Sequence, residues 1–145
     1  MKTKILLILL ALFLAIGFVY ATDINNLNVP DGWKSTGKGS YYEEGASNDS
    51  GQIVMVQKLE NDFQEIFLNN HTDEGYTVMT NDSLIYRYID DFNKNGGTFE
   101  VVEIDGEKYL IILNTRDYKN DKELAKTYDS LMEFNKINNF KPINV

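Results

Sequence analysis

The longest apolar stretch of the chain lies near its start, where Ile5 to Val19 reads ILLILLALFLAIGFV behind Lys2 and Lys4. A charged lead, a short greasy run and the spacing Val19-Tyr20-Ala21 make the three-part pattern of a secretory signal peptide. The run falls short of the roughly 20 apolar residues that a permanent span needs. The sequence therefore predicts cleavage after Ala21, with an uncleaved anchor as the alternative, and divides into a signal peptide (1–21) and a single α+β domain (22–145).

Beyond the leader the apolar positions change period. The Pro30-Asp31-Gly32 turn and the glycines at 37, 39, 45 and 51 bracket short extended pieces around Tyr41-Tyr42. Gln52 to Leu59 carries a four-residue apolar run suited to an interior strand. Asn61 resembles an N-cap, and Phe63, Ile66 and Phe67 fall at helical spacing, which predicts a short helix through about Asn70. Tyr76–Thr80 and Leu84–Ile89 are β-branched and aromatic and flank Asn81-Asp82, a hairpin pattern.

The sharpest local signal follows. Thr98–Ile104 and Glu107–Leu113 are separated by Asp105-Gly106, the pair that a type I′ turn selects because both of its central residues need positive φ. This turn sets Glu103 opposite Lys108, Val102 opposite Tyr109 and Val101 opposite Leu110. Alternation then places Phe99, Val101, Leu110 and Ile112 on one face and Val102, Ile104, Tyr109, Ile111 and Leu113 on the other. Two apolar faces predict a central hairpin.

Asn120 with Glu123 forms an Asn version of the capping box, and Leu124, Ala125, Tyr128, Leu131 and Met132 make a stripe at helical spacing. The reading is a helix from Asp121 to about Ile137, ended by Asn138-Asn139 and by Pro142. Strands, hairpin and then helix predict an α+β fold: a single antiparallel sheet with a C-terminal helix packed on one face and a short helix elsewhere. Leu110, Ile112, Leu124, Tyr128 and Leu131 are expected to share one core.

Composition narrows the function classes. With 14 basic residues scattered singly against 22 acidic ones, net −8, the chain lacks the basic patch that a nucleic-acid partner requires. Loss of the leader removes two lysines and no acid, leaving the remainder more acidic still. The chain has no cysteine, which excludes disulfides, a lipid-modified N-terminus and cysteine nucleophiles, so an exported form must stand on its own core. His71, the one histidine, sits in a polar stretch and leaves zinc sites and Ser-His-Asp triads without support. Neither a P-loop nor a dinucleotide fingerprint is present. Sequons at Asn48, Asn70 and Asn81 are about as many as chance supplies in so Asn-rich a chain.

Three constellations carry candidate chemistry. The adjacent carboxylates Glu43-Glu44, Asp73-Glu74 and Asp90-Asp91 evoke a glycosidase pair, although neighbours on a strand point to opposite faces. Tyr86 and Tyr88, two apart on a predicted strand, share a face and are candidate ligand-binding residues, either as a platform for a sugar or peptide or as ordinary sheet packing. Asp91-Phe92-Asn93-Lys94-Asn95-Gly96 matches the first half of a calcium loop, making Asp91, Asn93 and Asn95 candidate metal ligands. The match stops at Val102, where an EF-hand carries a bidentate glutamate, and the alternative is a turn in which Gly96-Gly97 supplies positive φ.

The C-terminal third, from the Thr98–Leu113 hairpin through the run Leu131 to Ile143 (LMEFNKINNFKPI), resembles small secreted proteins of unknown function from methanogenic archaea. Val29-Pro30-Asp31-Gly32-Trp33 followed by strands, a hairpin and a last helix is similar in opening and order to the PsbP-like fold. Neither resemblance implies an activity or catalytic residues. The expectation is a secreted or cell-surface, non-catalytic binding or interaction module without a resident cofactor, calcium in the Asp91 loop aside, and with a surface glycan or protein as partner. The alternative is an extracellular hydrolase using paired carboxylates.

Overall fold

The computed structural model describes residues 22–44, 51–59, 76–82 (as backbone), 84–90, 93–116 and 120–144. Residues 1–21, expected to be a signal peptide, the short helix expected near 61–70, His71, Asp73-Glu74 and Asp91 lie outside the described residues. After a one-turn 3-10 helix, Ile24–Asn26, come strands β1 (Trp33–Gly37), β2 (Ser40–Glu43), β3 (Gly51–Lys58), β4 (Tyr76–Asp82), β5 (Ile85–Asp90), β6 (Asn95–Ile104) and β7 (Glu107–Arg116), then helix α1 (Asp121–Asn138). All strand pairs are antiparallel in one sheet of order β1-β2-β3-β7-β6-β5-β4. Two meanders, β1–β3 and β4–β7, are thus stitched together by the β3–β7 pair. Among the described residues no helix is long and apolar enough to cross a membrane.

The β6–β7 hairpin has the register its turn dictates: Glu103 faces Lys108, Val102 faces Tyr109 and Val101 faces Leu110. Asp105 and Gly106 have φ of 52° and 80°, the left-handed values that a type I′ turn requires. β6 and β7 are central, flanked by β5 and β3. Their two faces feed two separate clusters. Val102, Ile104, Ile111 and Leu113 join Val54, Val56 and Tyr41 beneath α1, with Leu131 and Phe134 from the helix. Phe99, Val101, Leu110 and Ile112 build the opposite face with Tyr88. The single core expected for Leu110, Ile112, Leu124, Tyr128 and Leu131 is therefore two: Leu110 and Ile112 are buried on the face away from the helix, and Tyr128 is only half-buried.

Asn120 caps α1, its Oδ1 accepting from the backbone N–H groups of Lys122 (3.0 Å) and Glu123 (3.1 Å). Asn139 ends it in the left-handed region (φ 57°). The helix buries Leu124, Thr127, Leu131, Phe134 and Asn135, whereas Ala125 is exposed. The true stripe is thus turned from the expected Leu124-Ala125-Tyr128-Leu131-Met132, because two of its members are polar residues with polar partners on β6.

Gly96 and Gly97 also act differently from expectation. Both lie inside β6, and the positive φ of the β5–β6 turn belongs to Lys94 (54°). At Gly96 a Cβ would lie 2.6 Å from Leu124 Cδ2 and 3.0 Å from Tyr88 O, so the bare backbone lets the Leu124 side chain settle directly on the sheet.

The chain past α1 turns back along the sheet. β5 pairs with β6 only up to Glu100, and the free edge beyond it is taken by the tail, where Pro142 bridges Val102 and the Ile143 N–H donates to Val101 O at 2.8 Å. At the other terminus Tyr41 pins the 3-10 helix, its hydroxyl donating to Ile24 O (2.5 Å) and accepting from Leu27 N (2.9 Å).

Candidate functional site

Along β6 the residues facing α1 are Gly96, Thr98, Glu100, Val102 and Ile104. An alternating strand delivers every second side chain to the helix, so polar residues at 98 and 100 must find partners there. Thr98 meets Thr127, hydroxyl to hydroxyl at 2.9 Å, and Thr127 in turn donates to Leu124 O. Glu100, fully buried, accepts from Asn135 Nδ2 at 2.9 Å through Oε2. Its other oxygen, Oε1, and Asn135 Oδ1 have no hydrogen-bond partner. Burial pushes the Glu100 carboxyl up to about 7, against the opposing pull of the Asn135 hydrogen bond. A proton on Glu100 turns one orphan acceptor into a donor, the group that both orphans lack.

Asn135 is also where this buried pair meets the surface. The last turns of α1, the start of β5 and the returning tail enclose an open groove of about 460 Å³. Its walls are Ile85, Met132, Phe140 and Pro142, Asn135 lies on its lining, and Lys136 and Lys141 are exposed at its rim. The groove exists because Asn139 takes the left-handed cap. That cap bends the chain so that the Phe140 N–H reaches Asn135 O (3.0 Å) and the Phe140 ring packs 5.8 Å from that of Phe134. A second hollow of similar volume lies over the first turns of α1, and its lining carries both signs of charge, with Lys122, Glu123, Lys126 and Asp129.

The residues singled out from sequence lie elsewhere. Tyr86 and Tyr88 share the face opposite α1, Tyr86 directly across from Phe99 and Tyr88 across from Gly97. The Tyr86 ring stacks on Phe99 (5.0 Å, 13°) and Tyr88 tilts against it (6.1 Å, 54°). Tyr88 is buried, and its hydroxyl accepts from Asn114 Nδ2. It reaches Asn114 across Gly97, the residue paired with both, where a Cβ would come within 1.8 Å of Leu113 O.

In the Asp91 loop the placed acid is Asp90, which is buried and accepts from Asn93 N (3.1 Å) and Asn93 Nδ2 (2.8 Å). Asn93 thus offers its amide nitrogen to the turn, and Asn95 is a half-buried strand residue paired with Asp90. Among the described residues no group of three or more acidic or histidine side chains converges as a metal site would require. Glu43 and Glu44 are drawn apart by separate cations, Lys126 at 3.3 Å and Lys34 at 2.6 Å.

Apolar periodicity alone does not single out Glu100 and Asn135, yet one half of the pair carries a signal. Glu100 shares strand alternation with Val102 and Ile104, so it stands at a core-facing register in a strongly apolar hairpin. Such a residue is buried polar by position. Compared with known proteins, the chain matches no family model, no curated protein and no solved structure.

Proposed function

We propose that the chain is an exported or surface-held, non-catalytic binding module, that its recognition surface is the groove beside the end of α1, and that it takes a small apolar carboxylate. One observation carries this reading. In a chain of net charge −8, the charged side chains lining this apolar groove are both lysines. Apolar walls give such a ligand a place for its hydrocarbon, and two ammonium groups at the mouth select a negative head. Export is supported by the charged lead, the apolar run and the Val19-Tyr20-Ala21 spacing. A sheet hairpin followed by a last helix is the support for a PsbP-like reading.

Titration of the labelled protein with decanoate and, separately, decanol should shift the resonances of Met132, Asn135 and Phe140, with the acid bound more tightly. Each exposed charge contributes up to about 1 kcal/mol, so Lys136→Glu with Lys141→Glu should weaken decanoate binding by about tenfold or more and leave decanol unaffected. Equal binding of acid and alcohol, or shifts confined to another face, would remove the reading.

Asn93 is proposed as a turn residue and not a calcium ligand, on the support of its donating to Asp90 from both backbone and side chain. Calorimetric titration with calcium should give no heat for either the parent or Asp91→Ala. Heat that disappears in the variant would restore a weak loop site.

A further inference from the structure

Thr22, the first residue after the expected cut, has its backbone nitrogen 2.5 Å from Asp105 Oδ2, at the tip of the β6–β7 hairpin. We propose that cleavage after Ala21 completes the fold, by creating at Thr22 an α-ammonium group that forms an ion pair with Asp105. The inference rests on the export reading and adds to it a role for the new terminus.

The chemistry is that of peptide hydrolysis. Water adds across the Ala21–Thr22 amide, the C–N bond breaks, hydroxyl goes to the Ala21 carbonyl carbon and hydrogen to the Thr22 nitrogen. At neutral pH the acid then releases a proton and the amine takes one up. Before the cut, the nitrogen facing Asp105 is a neutral amide with one proton. Afterwards it is a cation with three, and a hydrogen bond to a carboxylate becomes a charge-assisted one.

Two further observations show that the segment is placed to use this contact. From Thr22 onward nearly every residue is tied down. Asp23 accepts from Asn25 N (2.9 Å), Gly39 N donates to Asn25 Oδ1 (2.9 Å), Tyr41 holds Ile24 and Leu27, and Asn28 exchanges hydrogen bonds with Asn138 (3.0 and 2.8 Å). A terminus held this way loses little further freedom when its first residue is fixed. The charge around it also favours a cation. Asp23 beside it and Glu103, Asp105 and Glu107 on the hairpin outnumber the two lysines there, Lys108 opposite Glu103 and Lys58 paired with Glu107 at 2.7 Å.

Two experiments separate the export reading from the clamp. The full chain, expressed in an exporting host and recovered from the medium, should by mass spectrometry begin at Thr22. A different first residue overturns the cut and leaves the geometry at Asp105 to be judged by the second experiment. In that experiment, protein beginning at Thr22 is titrated by NMR, following the Thr22 signals, as the parent and as Asp105→Asn. The parent α-amine should titrate about half a pH unit or more above the variant, and above the ordinary value of about 7.7 to 8.0. A Gly-Ser extension ahead of Thr22 should abolish the titration and speed amide exchange at Leu27 and Asn28. Equal titration of parent and Asp105→Asn, with unchanged exchange in the extended protein, would overturn the clamp.

Discussion

Replacing Glu100 with Gln is expected to stabilise the protein above neutral pH and to flatten its stability profile between about pH 4.5 and 7. In the unfolded chain this carboxyl ionises near 4.5, and in the folded protein burial raises it to about 7. Below the lower value both states carry the proton, and stability is at its fullest as far as this group is concerned. As pH rises through the interval the unfolded state releases its proton first, so stability falls, levelling off once the folded state has also ionised. Each pH unit between the unfolded and folded values is worth about 1.4 kcal/mol, so the loss is on the order of 3 kcal/mol. Gln keeps the shape and stays neutral, and its amide supplies both a donor for Asn135 Oδ1 and an acceptor for Asn135 Nδ2. Urea midpoints from pH 4 to 8 should show parent and variant close together at the acid end and separated by about 2 to 3 kcal/mol at pH 8. Parallel curves would mean that Glu100 stays in one protonation state throughout.

The other large effect is expected at Leu131. Its side chain is fully buried between α1 and the sheet, in the cluster of Val102, Ile104, Ile111 and Leu113. Leu131→Ala removes that contact and leaves a space that a sheet backed by a second buried face can only partly close. The cost should be about 2 to 5 kcal/mol by chemical denaturation. Ile137 on the same helix is exposed, and Ile137→Ala should change stability by less than about 0.5 kcal/mol. Similar losses from both would mean that the helix presents a different face to the sheet.

Local physics made much of this architecture legible. Asp105-Gly106 admits one tight turn, and that turn alone sets the pairing and both faces of the β6–β7 hairpin. Asn120 and Asn139 mark the ends of α1 because each does something at a helix terminus that few residues do well. What escaped was decided between distant segments. Nothing near Gln52–Lys58 says that β3 lies beside β7, since both strands are apolar enough to sit beside many partners. Apolar residues alone define a helix face that leaves out Thr127 and Asn135, both buried against the sheet. Their place beneath the helix is set by Thr98 and Glu100, which a period-3.6 reading of α1 cannot see. Of the candidate site, Glu100 was legible as a misplaced charge on an apolar face. Its partner was not, and neither was the groove, which exists only once the Asn139 cap has sent the tail back along the sheet.

That returning tail has a mechanical consequence. Thr22 is held at Asp105 and Ile143 at Val101, so the first and last described segments are anchored on the same hairpin, one at its tip and the other four residues back in β6. Tension applied between the ends would be borne first by these two attachments. The long β3–β7 seam, which joins the two halves of the sheet, carries neither attachment. A protein held to a surface by one end and to a ligand or neighbour near the other could therefore give up its terminal segments under load while its sheet stays whole.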